Sequence, residues 1–119
     1  MKKVLLLISI LFVSLSVFSQ QQPPRVNYYY YDAEAGSENY FRVLLPIQAN
    51  VYLLDNDNFQ KYKDGRVFTY AFGRWVTVSS LDITPPKQQH WYLVTDRNGQ
   101  KFASGRVLLF SYKELPTKP

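Results

Sequence analysis

Short runs of alternating apolar and polar residues dominate the chain after its first nineteen residues, and they are rich in Val, Tyr, Phe, Leu and Thr. Alternation with a period of two indicates strands whose faces meet different surroundings, and these residue types favour strands. The pattern predicts seven strands: Val26–Tyr31, Phe41–Leu45, Asn50–Leu54, Arg66–Phe72, Trp75–Ser79, Trp91–Thr95 and Lys101–Tyr112.

Turn residues separate these runs at the spacing of an all-β domain. Gly73 allows a tight reversal between the fourth and fifth runs, and Asn98-Gly99 is a strong hairpin signal. Gly105 marks a bulge or bend within the last run. We therefore expect an all-β fold, an antiparallel β-sandwich of about seven to eight strands, with a partly open barrel as the alternative. Its core should contain Val51, Leu53, Phe68, Tyr70, Trp91 and Leu93.

One short helical turn is predicted at Asp57–Lys63. Phe59 and Tyr62 lie three residues apart, so they share one face of such a turn. Asp57 is the expected N-cap, and Gly65 ends the segment soon afterwards. The aromatic pair is expected to close one end of the sandwich.

The first nineteen residues have the organisation of a secretory signal peptide. Lys2 and Lys3 precede an apolar run, and small residues follow at the expected cleavage site. The run is shorter than the roughly 20 apolar residues that cross a bilayer. The sequence thus predicts a signal peptide (1–19), a flexible lead-in (20–25), a β-sandwich domain (26–114) and a tail (115–119). It also predicts a periplasmic or secreted protein with no membrane span after the signal is removed.

Charge and cysteine content narrow the possible functions. The whole chain carries a formal net charge of +5, and loss of Lys2 and Lys3 with the leader reduces it to +3. The basic residues are scattered, so nucleic acid is not an expected partner. The chain has no cysteine, which excludes disulfides, thiolate metal ligands, a cysteine nucleophile and a lipoprotein leader.

A longer pattern begins at Ala49 and continues to Gly65 as A-x-V-x-L-x-D-x-x-N-F-x-x-Y-x-x-G, and Trp91–Asp96 supplies a later W-x-L-x-x-D. This arrangement resembles a small family of bacterial β domains with no assigned function. The resemblance implies a compact β fold and transfers no catalytic residue. The chain departs from the family pattern at Ala71-Phe72-Gly73, where a glycine pair is reduced to one glycine, and in having a leader.

Aromatic residues exceed what a core of this size requires. Ten Tyr, two Trp and the six Phe outside the leader are present, so some must be exposed. A contiguous exposed set would form a contact surface for a protein or glycan partner, whereas scattered rings would only cover the edges of the core. The candidate ligand-binding residues are Tyr28, Tyr29, Tyr30, Tyr31 and Trp75. Because side chains alternate along a strand, two of the four tyrosines should face each side.

Two weaker constellations suggest other chemistry. Carboxylates at Asp55, Asp57 and Asp96 could bind a hard cation such as Ca²⁺, although Asp and Asn are also ordinary turn residues. His90 is the only histidine, and the sequence has no Gly-x-Ser-x-Gly nucleophile motif. A structural or exposed position is therefore the expected one for His90, and no cofactor is expected.

Three functions remain open at this point. The favoured one is an exported, non-enzymatic binding or interaction module. The second is an envelope structural or assembly protein that pairs through an exposed edge strand such as Val26–Tyr31. The third is a small hydrolase or metal-dependent enzyme that uses His90 with Asp55, Asp57 or Asp96.

Overall fold

The computed structural model describes residues 23–114; the predicted signal peptide and tail lie outside these residues. Seven strands, one helix and a terminal 3₁₀ turn at Tyr112–Glu114 follow in chain order. The elements are β1 (Tyr29–Ala35), β2 (Asn39–Leu44), β3 (Ala49–Leu54), α1 (Asn56–Lys63), β4 (Phe72–Val76), β5 (Ser80–Ile83), β6 (Gln89–Asp96) and β7 (Arg106–Ser111).

The strands form two antiparallel sheets, which confirms the predicted all-β class and number of strands. One sheet has four strands in the order β1-β6-β3-β4, and the other has three in the order β5-β2-β7. All pairs are antiparallel, for example Tyr31 opposite Leu93 and Val43 opposite Val107. We refer to them as the four-stranded sheet and the three-stranded sheet.

The main core lies between the two sheets. Val51, Leu53 and Leu93 of the four-stranded sheet are almost fully buried against Phe41 and Val43 of the three-stranded sheet. These residues alternate along their strands with residues of the opposite faces, as period two requires. The predicted core residues of β3 and β6 are therefore correct. Trp91 belongs to the same core, and its indole nitrogen donates to the carbonyl of Lys87 at 3.0 Å.

Helix α1 covers the other face of the four-stranded sheet. Phe59 and Tyr62 pack there against Leu54 and Val94, forming a second buried cluster. The prediction that this aromatic pair is buried is correct, but the pair covers a sheet face rather than one end of the sandwich. The helix has eight residues, so the expected single turn is too short.

The N-cap of α1 is Asp55 rather than Asp57. A carboxylate oxygen of Asp55 accepts the backbone N–H of Asn58 at 2.8 Å. Asp57 lies in the first helical turn, where a carboxylate stabilises the positive end of the helix dipole.

The predicted strand Arg66–Phe72 is wrong. Residues 66–70 have no regular structure, and the N–H of Thr69 donates to the Asn58 side chain at 2.8 Å rather than to a neighbouring strand. Tyr70 is 53% exposed, so its assignment to the core is also wrong, while Phe68 is partly buried against the second cluster. Residues 66–70 have strand-forming side chains, but they do not join a sheet, because they pack beside α1 over a sheet face that is already covered.

Two predicted glycine roles also differ from the structure. Gly73 lies inside β4 rather than at a reversal, and a Cβ there would approach the rings of Tyr52 and Tyr70 to 2.8 Å. Residues 101–105 form a loop, so the predicted long strand begins only at Arg106. A Cβ at Gly105 would overlap the carbonyl oxygen of Leu44, so this glycine permits a close backbone approach.

Arg25, the last residue of the predicted lead-in, contacts the end of α1. Its backbone N–H donates to Lys63 at 3.0 Å, and its guanidinium donates to the Tyr62 carbonyl at 2.6 Å. The same guanidinium lies 4.7 Å from the Tyr62 ring centroid and 4.9 Å from that of Phe68. Arg25 therefore ties the start of the domain to the end of α1.

Replacing Gly65 by Ala should destabilise the domain more than replacing Gly99 by Ala. Both glycines have positive φ, +76° and +85°, so each Ala costs about 1–2 kcal/mol of backbone strain. Only the Cβ at Gly65 would also overlap the carbonyl oxygen of Pro23. Chemical denaturation measures both losses of unfolding free energy. Equal losses would contradict the packing of Pro23 against the end of α1.

Candidate functional site

The four consecutive tyrosines point alternately to opposite faces of the four-stranded sheet. On the helix side, Tyr28 packs edge-on against Tyr62 with ring centroids 5.1 Å apart. Tyr30 leans on Phe59 at 4.9 Å and stays 54% exposed. These two rings thus extend the cluster under α1 and do not share a surface with their neighbours.

The other two tyrosines point towards the three-stranded sheet. The Tyr31 ring meets Phe41 edge-on at 6.1 Å. Tyr29 meets the ring of Phe102 at 5.1 Å, and its hydroxyl donates to the Phe102 carbonyl at 2.8 Å. The tyrosines that reach the space between the sheets are therefore Tyr29 and Tyr31, and Ala33 and Ala35 follow them on the same face of β1.

A pocket of about 160 Å³ opens in this space, where β1 and β6 lie opposite β2 and β7. Its walls combine aliphatic residues and tyrosines with Thr95, Ser104 and Gly105. Among the described residues no charged side chain lines it. Tyr30 contributes to the lining although its ring packs against Phe59 on the other face. The lining residues are Tyr29, Tyr30, Tyr31, Val43, Leu93, Thr95, Ser104, Gly105 and Val107.

The loop between β6 and β7 borders the pocket and is fastened to β1. Besides the contact of Tyr29 with Phe102, the side-chain amide of Asn27 donates to the Gly99 carbonyl at 2.6 Å. Ser104 and Gly105, at the end of the loop, line the pocket and also a neighbouring groove of about 450 Å³ on the three-stranded sheet. The rest of the groove lining is Leu44, Leu45, Pro46, Ser79, Ser80 and Arg106.

Trp75 does not belong to this pocket. It lies on β4, at the opposite edge of the four-stranded sheet from β1. Its ring is 40% exposed, and the guanidinium of Arg97 lies 5.5 Å from the ring centroid. Trp75 and the tyrosines therefore do not form one contiguous surface. The four tyrosines divide two to each face, as alternation along a strand predicts, and the strand order puts Trp75 at the opposite edge of the sheet.

The three candidate cation ligands do not converge. Asp55 follows the last residue of β3, whereas Asp96 pairs with Asn50 near the first, so about 16 Å of strand separates them. Asp55 is occupied as the N-cap of α1, and Asp57 lies exposed in the first turn. In residues 23–114 no group of three or more His, Asp or Glu side chains is arranged to hold a metal ion.

Asp96 instead anchors α1 to the sheet. The Tyr62 hydroxyl donates to one carboxylate oxygen of Asp96, and the Asn50 amide donates to the other at 2.8 Å. Both Asp96 and Tyr62 are buried, with 7% and 1% exposure. Burial first, and then the hydrogen bond to Asp96, raise the pKa of Tyr62 far above its ordinary value. The phenol is therefore a permanent donor, a role that the sequence pattern did not reveal.

His90 lies on the exposed helix-side face at the start of β6. Its two ring nitrogens are 3.0 Å from a carboxylate oxygen of Asp32 and 3.3 Å from one of Glu34. About 20 Å of strand separates it from Asp96. The structure therefore does not pair His90 with Asp96, and the sequence pattern gave no sign of its contacts with Asp32 and Glu34.

Six pocket residues lie outside β1, and the sequence pattern singled out only Leu93, as a core residue, and Gly105, as a bulge. It did not indicate Val43, Thr95, Ser104 or Val107. Period two does place Thr95 on the same face as Leu93, and Val107 opposite Val43 is a consequence of sheet pairing. Periodicity and turn residues do not indicate which strand of one sheet lies over which strand of the other.

Comparison with known protein families gives a match over most of the chain. The model of a family described as a domain of unknown function (DUF1883) matches residues 26–110. This confirms the resemblance to a β-domain family without an assigned function. No curated protein and no solved structure shows significant similarity to the chain. Within residues 23–114, no helix has the length and apolar character needed to cross a membrane.

Replacing Tyr62 by Phe should lower the unfolding free energy by about 1–3 kcal/mol, because it leaves a buried carboxylate oxygen of Asp96 without its donor. The matched control is Tyr112→Phe, which removes an exposed hydroxyl 2.8 Å from that of Thr84. That change should stay within about 0.5 kcal/mol. Urea denaturation compares the two, and an equal loss would contradict the anchoring role of Asp96.

Replacing Asp55 by Ala should cost about 1 kcal/mol through loss of the N-cap, with or without Ca²⁺. Replacing Asp57 by Ala should cost less, because it removes only a helix-dipole interaction. Thermal unfolding with and without Ca²⁺ measures both. A Ca²⁺-dependent rise in Tm that disappears in the Asp55 variant would contradict this assignment and restore the cation site.

Proposed function

We propose that this chain, which belongs to the DUF1883 family, is an exported, non-enzymatic binding module that holds a small ligand between its two sheets. The supporting observation is the pocket between β1–β6 and β2–β7, which has tyrosine and aliphatic walls. Apolar pockets with a few polar groups at fixed positions are the usual form of small-molecule sites. The predicted leader supports export.

The size of the pocket limits what can enter it. Its volume of about 160 Å³ is close to that of an apolar protein cavity that accepts benzene, about 150 Å³. A six-membered ring or a short branched hydrocarbon therefore fits between the sheets. A larger ligand would have to continue into the adjoining groove past Ser104 and Gly105.

The chemistry of the lining supports binding rather than catalysis. The hydroxyl of Ser104 faces the carbonyl of Gly105 at 3.0 Å. The imidazole of His90 is held between Asp32 and Glu34 on the other face of the four-stranded sheet. Nucleophilic catalysis by a serine requires a base within hydrogen-bond reach, and His90 is not placed to serve Ser104.

Assembly through an edge strand is the second candidate function, and β1 favours it. This seven-residue strand is an edge of the four-stranded sheet, with Tyr30, Asp32 and Glu34 exposed along it. A free edge can accept a strand from a partner. Its acidic side chains also limit unspecific pairing, so a partner would need to offer basic residues.

The binding proposal is tested by filling the pocket. Benzyl alcohol, whose ring matches the pocket, should shift the NMR signals of Tyr31, Leu93 and Val107 in a saturable way. Val107→Phe should reduce its affinity by at least about tenfold, equivalent to about 1.4 kcal/mol, because the new ring occupies the same space. Leu108→Phe is the matched control, since Leu108 is on the opposite face of β7, across from Arg42.

Two results would overturn the binding proposal. One is the absence of saturable binding by benzyl alcohol in the natural chain. The other is binding that survives Val107→Phe unchanged. Backbone amide spectra verify that both variants remain folded, so a failure to fold is recognised separately.

A further inference from the structure

The pocket and the adjoining groove differ in charge. No charged side chain among the described residues lines the pocket. The groove carries one charged side chain, Arg106, together with hydroxyls from Ser79, Ser80 and Ser104. Ser104 and Gly105 line both spaces, so the neutral pocket and the cationic groove meet at these two residues.

Arg106 is positioned by the register of the three-stranded sheet. Leu44 lies opposite Arg106 on one side and opposite Ser80 on the other, so these three side chains form one row across the outer face. Arg106 is exposed, and it makes no ion pair with any residue of the described range.

The nearest acidic residue in this register does not neutralise Arg106. Asp82 lies two residues beyond Ser80 on β5, where Arg42 binds both of its carboxylate oxygens at 2.8 and 2.9 Å. The hydrogen bond from Arg42 holds the pKa of the Asp82 carboxyl below its ordinary value. Asp82 is thus a paired anion, and the guanidinium of Arg106 remains available to an incoming one.

We propose that the ligand is a small amphipathic carboxylic acid, with its ring or hydrocarbon group in the pocket and its carboxylate in the groove against Arg106. This inference rests on the proposed binding function and adds the chemical class of the ligand. A carboxylate inside the neutral pocket would lose its hydration without a counter-charge. A carboxylate at the groove keeps water, gains the guanidinium fork and can accept serine hydroxyls.

Three probes with the same ring separate the effect of charge from that of shape: phenylacetate, phenylacetamide and 2-phenylethylamine. In the natural chain the acid should bind about twofold to fivefold more tightly than the amide, the range for an exposed charge pair. The amine should bind most weakly. Added salt should reduce the advantage of the acid and leave the amide unaffected.

Arg106→Gln should abolish the preference for the acid and leave the affinity for the amide unchanged. Arg66→Gln is the matched control, because it removes the same charge from an exposed residue that lines neither space. That control should retain the preference. Isothermal titration calorimetry or NMR titration measures each dissociation constant on the folded domain.

The outcomes distinguish the ligand class from the binding function. Equal affinities for acid and amide in the natural chain, or an equal loss of acid preference in both arginine variants, would overturn the carboxylate assignment. Amide binding that is sensitive to Val107→Phe would still support the pocket. Failure of all three probes to bind would overturn both the pocket function and the assignment of its ligand.

Discussion

Burial of the four-stranded sheet on both faces is the constraint on which the rest of the structure depends. The three-stranded sheet covers one face, and α1 with the 66–70 segment covers part of the other. Each inner strand must therefore be apolar in both directions, as Leu53 and Leu54 are. Tyr62 and Asp96 fix the helix by a buried hydrogen bond, which makes the second layer specific as well as apolar.

The position of the pocket follows from the same architecture. The centre of the sandwich is filled by Phe41, Val51 and Leu53, while the space between β1–β6 and β2–β7 is left incompletely packed. Unfilled volume lowers stability in proportion to its size, and close packing is the norm in protein interiors. The open space between these strands therefore forgoes packing contacts that a filled interior would make.

The fold class was predictable because period two and turn residues are local signals. Val51, Leu53, Trp91 and Leu93 were assigned to the core correctly on that basis. The 66–70 segment was not, since its strand-like composition serves to cover a sheet face beside α1. For the site, alternation along the strand separated the four tyrosines into two pairs, and Tyr29 and Tyr31 are the pair that lies between the sheets. The stacking of one sheet on another depends on distant residues, which a single sequence does not show.

The two tryptophans occupy contrasting environments, and this gives the domain two intrinsic optical reporters. Trp91 is 3% exposed in the core and hydrogen-bonded to Lys87, whereas Trp75 is 40% exposed beside the guanidinium of Arg97. Trp91 fluorescence should change when the core unfolds. Trp75 fluorescence should respond to solutes and quenchers that reach the β4 edge. Global unfolding and events at one surface can therefore be observed separately in unlabelled protein.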